Sequence, residues 1–121
     1  MGMKVVIIDD DAGVLKYIKE LLKHDGFNVL ATDNGHTAFE QLAQNRDAAI
    51  VITDIIMPEQ EGIEIIKKIK SEHPRIKIVA ISGGGRMSPE SYLQLAHAMG
   101  ADATLKKPFG HKELLNTLQN L

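Results

Sequence analysis

Short apolar runs recur along this chain, separated by amphipathic segments of helical periodicity. The first run, Lys4 to Ile8, ends in Asp9-Asp10-Asp11. From Ala12 to Asp25, Val14, Ile18, Leu21 and Leu22 recur at helical spacing, and Gly26 stands where a left-handed residue ends a helix. Phe27 to Thr32 reads as a second strand, Asn34-Gly35 as a turn, and Ala38, Phe39, Leu42 and Ala43 mark a short second helix. Ala48 to Thr53 is the third strand and runs straight into Asp54. Pro58 prevents a quick continuation into helix and biases Met57 towards an extended backbone. Gly62, Ile65, Ile66 and Ile69 form the inner face of a third helix that ends before Pro74. Ile76 to Ile81 is a fourth strand, leading into Ser82-Gly83-Gly84-Gly85. Ser88-Pro89 starts a fourth helix with a capping serine and a first-turn proline, and Gly100 closes it. Ala101 to Leu105 is the last strand, and Phe109 to Leu121 the last helix, with Leu114, Leu115, Leu118 and Leu121.

The rhythm is strand then helix, five times. Strands with almost no polar alternation are buried on both faces, as in a parallel sheet, and helical connections imply right-handed crossovers. The expected fold is α/β: a doubly wound, five-stranded parallel sheet of order 2-1-3-4-5 with five helices, flavodoxin-like. The 121 residues suffice for one domain, here taken as 1–121. The chain ends once the fifth helix is complete, so no effector domain is expected within it.

In a parallel sheet, all strand carboxyl ends lie along one edge. That edge collects Asp9, Asp10 and Asp11 after the first strand, Asp54 after the third, Ser82 after the fourth and Lys106-Lys107-Pro108 after the fifth. Each has an ordinary reading: helix-capping acids, a loop-capping carboxylate, a serine–glycine turn, a solvated lysine pair. Their joint occurrence favours a site. Asp11 is set aside as the helix cap. Asp9, Asp10 and Asp54 cannot share a crevice uncompensated, since at about 4 Å and an effective dielectric of about 20 each pair repels by roughly 4 kcal/mol. A hard divalent cation such as Mg²⁺, with Mn²⁺ able to substitute, together with Lys107 cancels the formal charge of the three acids. Ser82 offers a hydroxyl and Gly83 an unobstructed approach and an N–H. The set suits phosphoryl transfer onto Asp54 as a carboxylate nucleophile.

Composition narrows the class. A net charge of -2 and a pI near 6.2 give no general attraction to nucleic acid or anionic lipid. There are no cysteines, hence no disulfide or thiolate zinc site. No apolar run approaches membrane-spanning length, and no signal peptide is evident, so a cytoplasmic domain is expected. Met1-Gly2 lacks the Ser or Thr that myristoylation wants at position six, which is Val6. Gly83-Gly84-Gly85 follows the fourth strand without a P-loop lysine and reads as a mobile loop that lets Ser82 shift, not as a nucleotide cradle. His24, His36, His73, His97 and His111 show no metal-ligand spacing and are assigned to surface or helix-end positions.

From first strand to last helix the chain resembles the receiver domain of two-component response regulators. The motifs are Val5-Val6-Ile7-Ile8-Asp9-Asp10, Asp54-Ile55-Ile56-Met57-Pro58 with Gly62, Ile81-Ser82-Gly83, and Lys107-Pro108-Phe109. The resemblance implies that Asp54 is the phosphoacceptor and that Asp9, Asp10, Asp54 and the Ile56 backbone carbonyl hold Mg²⁺. It implies that Ser82 is the switch hydroxyl, that Ser82, Gly83 and Lys107 contact the phosphoryl group, and that the Lys107–Pro108 peptide is cis. The implied partners are a histidine kinase or phosphotransfer protein upstream and a protein target on the face of the fourth helix, fifth strand and fifth helix. The implied assembly is a monomer or a phosphorylation-dependent dimer.

Two departures limit what the resemblance implies. The aromatic residue often found three before the lysine is Thr104, which moves the readout elsewhere or onto Tyr92. Ile56 and Gly84 offer no group to orient an attacking water, so slow self-dephosphorylation is expected; an acyl-phosphate half-life of seconds with Mg²⁺ would contradict this. The alternatives are a receiver part of a larger regulator or hybrid kinase, an aspartyl-nucleophile phosphatase, and a pseudo-receiver that only binds. The phosphatase lacks a general acid at Ile56, and the complete acid, hydroxyl and lysine set argues against the pseudo-receiver.

Overall fold

The computed structural model describes residues 2–55, 62–83 and 88–121, without the side chains of Pro89, Tyr92 and Leu93. The expectations placed on Ile56, Met57, Pro58, Gly84, Gly85 and the Tyr92 side chain therefore lie outside the described residues. Strands β1 (Lys4–Ile8), β2 (Asn28–Thr32), β3 (Ile50–Asp54), β4 (Lys77–Ser82) and β5 (Ala103–Lys106) alternate with five helices. These are α1 (Ala12–His24), α2 (Gly35–Gln44), α3 (Gly62–Glu72), α4 (Pro89–Ala98) and α5 (His111–Gln119). All strand pairs are parallel, as the βα rhythm implied, and the order is β2-β1-β3-β4-β5, the order expected for this fold.

Successive side chains on a strand point to opposite faces, and both faces here are covered. Val5, Ile7, Ile50, Ile52, Val79 and Ile81 pack with Ile18 and Leu22 of α1 and Leu114 and Leu118 of α5. Val6, Ile8, Val51, Ile78 and Ala80 pack with Leu42 of α2, Ile65, Ile66 and Ile69 of α3, and Ala96 of α4. This two-sided burial is why the strands carry so little polar alternation.

Capping fixes where the helices begin. The Asp11 side chain accepts from the N–H groups of Gly13 and Val14, at 2.9 and 3.2 Å, as its exclusion from the acid pair required. Asn34 caps α2 through the Thr37 N–H, and Ser88 caps α4 through the Ser91 N–H. Gly26 and Gly100 follow α1 and α4 with φ of 88° and 119°, a region costly for other residues.

Strand boundaries shift by one or two residues from the apolar runs. Ala48 belongs to the turn out of α2, its N–H bonded to the Asn45 carbonyl, and Ala101 closes α4 through the Ala96 carbonyl. At the other end β3 and β4 extend to include Asp54 and Ser82, both buried. Polarity did not end these strands, because the ladder continues beneath the side chains that form the site.

Candidate functional site

The chain crosses from β1 out to β2 and returns to pair β3 on the other side of β1. The strand order thus reverses between β1 and β3, which opens a crevice at their carboxyl ends. Asp9 follows β1, and Asp54 ends β3. Together with Asp10 they present carboxylate oxygens that all lie within 4.8 Å of one another. Asp9 is fully buried, Asp54 is 6% exposed and Asp10 is exposed. Among the described residues this is the group able to hold a metal ion. Its donors are all hard oxygens, the set that suits Mg²⁺, Mn²⁺ or Ca²⁺ and not a thiolate-seeking metal.

The Lys107 ammonium lies 3.0 Å from Asp9 Oδ2 and 3.6 Å from Asp54 Oδ2. Burial alone would push this lysine down. Its hydrogen bond to Asp9 and the charges of Asp54 and Asp9 outweigh that and hold it above the ordinary lysine value. The other Asp9 oxygen, Oδ1, accepts the Asp11 N–H at 2.9 Å, so both oxygens of the buried acid are engaged. The sequence placed Lys107 in the site as an added charge; that it bonds Asp9 directly follows from the fold.

Backbone ties position these groups. Lys107 N–H donates to the Ser82 carbonyl at 2.9 Å, and Ile55 N–H donates to the Ile81 carbonyl at 3.0 Å. The Lys107–Pro108 peptide is cis, as the resemblance implied. Two glycines permit close approach. A Cβ on Gly62 would lie 2.1 Å from the Asp54 carbonyl oxygen, so the start of α3 can sit against the end of β3 only without a side chain. A Cβ on Gly83 would lie 2.7 Å from Lys107 Cβ; Gly83 makes room for the lysine stem, a role the sequence did not disclose.

Ser82 stands one residue beyond Ile81, which pairs with Asp54 across the ladder. Its hydroxyl is fully buried and has no hydrogen-bond partner among the described residues. A buried polar atom without a partner costs about 1–3 kcal/mol and is retained where a ligand completes it. Asp9, Asp10, Asp54, Ser82, Gly83 and Lys107 thus gather on one edge.

Thr104 pairs with Ala80 and is half-buried on β5. Next to the site Lys106 Nζ lies 2.6 Å from Glu90 at the start of α4. The histidines stay out of the crevice: His36 pairs with Glu40, and His111 Nε2 lies 2.6 Å from Asp25. The pairing of α5 with the end of α1 through His111 had no signal in the sequence.

Comparison with known proteins agrees with this geometry. The chain is 32% identical over 112 residues to the transcriptional regulatory protein CpxR of Escherichia coli (strain K12), covering 93% of this chain and 46% of that protein. It is 29% identical over 120 residues to the response regulator receiver protein CpdR of Brucella abortus (strain 2308), covering 98% and 95%. It therefore spans about half the length of relatives such as CpxR and nearly all of CpdR. Among solved structures, a response regulator receiver domain protein from Clostridium thermocellum superposes with a TM-score of 0.88 at 30% identity, covering 98% of this chain and 92% of that one. The chemotaxis protein CheY4 of Vibrio cholerae superposes with a TM-score of 0.86 at 29% identity, covering 99% and 98%. The model of the response regulator receiver domain matches residues 5–119, and the chain belongs to that family of two-component signalling domains.

Proposed function

We propose that this domain accepts a phosphoryl group on Asp54 from the phosphohistidine of a kinase or phosphotransfer protein, and that the change is read by a downstream protein. The observation that carries the reading is the pair of buried acids Asp9 and Asp54 with the half-buried Lys107 against them, and on the next strand a buried Ser82 hydroxyl without a partner among the described residues. An Asp54 carboxylate oxygen attacks phosphorus; the P–N bond to the histidine breaks, the new P–O bond forms, and the imidazole leaves. Lys107 neutralises charge on the transferring oxygens, and Ser82 donates its hydroxyl hydrogen to one of them. Asp9, Asp10 and Asp54 would hold Mg²⁺, which supplies Lewis-acid neutralisation of the phosphoryl oxygens.

Ser82 and Lys107 join β4 and β5 to the site, so new bonds there bias the placement of α4. The face of α4, β5 and α5 is the surface we assign to the downstream partner. The Lys106–Glu90 pair ties β5 to α4 on that face and offers a readout independent of an aromatic residue at Thr104.

The test is incubation with Mg²⁺ and acetyl phosphate followed by intact-mass measurement. The expected result is a gain of one phosphoryl group, absent in Asp54→Asn and after chelation of the metal. Absence of any gain, or rapid release of free phosphate without an accumulated adduct, overturns the reading.

A further inference from the structure

At the opposite edge of the sheet, where the strands begin, lies a groove of about 470 Å³ between the end of α5 and the starts of β3 and β4. Its floor is apolar, built by Phe27, Ala49, Ile50, Leu118 and Leu121. Met3 stands at its margin, 52% exposed, the most exposed large apolar side chain among the described residues. Arg75 and Lys77 line the same groove, and both are exposed. Among the described residues no carboxylate side chain lines it.

The main chain here has little to offer a ligand. Ala49 N–H is spent on the Lys4 carbonyl, Lys77 N–H on the Ala49 carbonyl and Phe27 N–H on the Leu22 carbonyl. The lining side chains add one neutral amide, Gln119, and two charged groups, both cations. Neighbouring cations are already committed: Lys4 pairs with Asp47 at 2.9 Å, and Lys70 with Asp102 at 3.0 Å. Arg75 and Lys77 make no ion pair among the described residues. Asp102, whose charge Lys77 feels, has its Oδ2 occupied by Lys70 and by the Ile78 N–H at 2.8 Å.

We propose that this groove binds a small amphipathic anion, an aliphatic or aromatic carboxylate, with its apolar body on the Ile50–Leu118 floor and its carboxylate at Arg75 and Lys77. The volume lies within the range of small-molecule sites, and an apolar lining with a few convergent polar groups is their usual chemistry. The site is separate from the Asp54 crevice, since it sits at the other ends of the strands.

The test is a ¹H–¹⁵N NMR titration of the whole chain with octanoate, butyrate and octan-1-ol, below any micelle-forming concentration. Octanoate is expected to shift the amides of Met3, Ile50, Leu118 and Leu121 saturably, and each added methylene, half-buried in the open groove, to tighten binding about twofold. The double variant Arg75→Glu/Lys77→Glu changes only exposed side chains and should weaken octanoate at least about fivefold while leaving the octanol response unchanged. Equal binding of octanol and octanoate removes the role of the cations and overturns the proposal, as does the absence of saturable shifts at these amides. Co-flotation with phosphatidylglycerol vesicles, without binding of free octanoate, would assign the groove to a lipid surface and also overturn it.

Discussion

Replacing Lys107 by Met removes a charge from a buried acidic crevice and keeps most of the stem that lies against Gly83. At an effective dielectric of about 20, the attractions at 3.0 Å to Asp9 and 3.6 Å to Asp54 each amount to about 5 kcal/mol. Desolvation of all three groups offsets most of that. What decides the outcome is the state left behind: a fully buried Asp9 whose Oδ2 has lost its ammonium partner, beside a nearly buried Asp54. Breaking a buried pair by removing one partner costs about 3–5 kcal/mol, and the 20% exposure of the Lys107 side chain lowers this to about 2–3 kcal/mol. The chain has no tryptophan, so urea unfolding is followed by far-ultraviolet circular dichroism. At pH 7.5 the lysine is charged in folded and unfolded chains alike. Its folded value is raised, so its contribution is complete below the ordinary lysine value and is lost only as pH rises through the folded one. With the metal chelated, Lys107→Met should lose about 2–3 kcal/mol. With saturating Mg²⁺, a divalent cation takes over the neutralisation, and the loss should fall below about 1 kcal/mol. A loss under about 0.5 kcal/mol without metal, or the same loss with and without it, refutes the account of Lys107 as counter-ion to the acids.

Three further outcomes follow from single contacts. Gly62→Ala forces a methyl group onto the Asp54 carbonyl and should destabilise by about 1–3 kcal/mol, lowering Tm by roughly 4–8 °C per kcal/mol in a thermal melt; an unchanged Tm would contradict the close approach. Asp10→Asn removes an exposed donor of the acid cluster and should weaken Mg²⁺ about tenfold by calorimetry, with the unfolding free energy of the metal-free protein equal to the parent's or higher, because like-charge repulsion is relieved. For Asp102, burial pushes the carboxyl up, but the Ile78 N–H and Lys70 outweigh it and hold it below the ordinary carboxylate value. A depressed carboxyl adds stability above its unfolded value that is lost as pH falls through the folded one. Asp102 is exposed and solvent screens its pair, so Asp102→Ala should cost about 0.5–1 kcal/mol in urea at pH 7 and less near pH 3; a pH-independent cost would show that the charge is not what matters.

Much of the fold was legible because the strands are buried on both faces and the connections are helical. Unbroken apolar runs such as Ile50–Ile52 and Ile78–Ile81 mark two-sided burial directly. Run ends were read less closely. Ala48 and Ala101 are apolar, yet their N–H groups close turns, while Asp54 and Ser82 are polar yet extend the ladder. Strand membership is set by backbone pairing, which side-chain polarity reports only indirectly. The Lys70–Asp102–Ile78 network and the His111–Asp25 pair had no sequence signal, because their members are 24 to 86 residues apart.

The sequence by itself determined the five βα units, the helix caps at Asp11 and Ser88, and the kinds of group at the ends of the strands. Those follow from local physics: hydrophobic period, caps and turn residues act within a few positions of each other. Only the tertiary structure decided that Lys107, 98 residues from Asp9, bonds that acid directly, and that the Ser82 hydroxyl is buried without a partner among the described residues. It also decided that Gly83 is a seat for the lysine stem, and that cations and an apolar floor meet at the far edge of the sheet. Such facts depend on register and distance between strands that are remote in the chain, where an error of a few ångströms turns a bond into mere proximity.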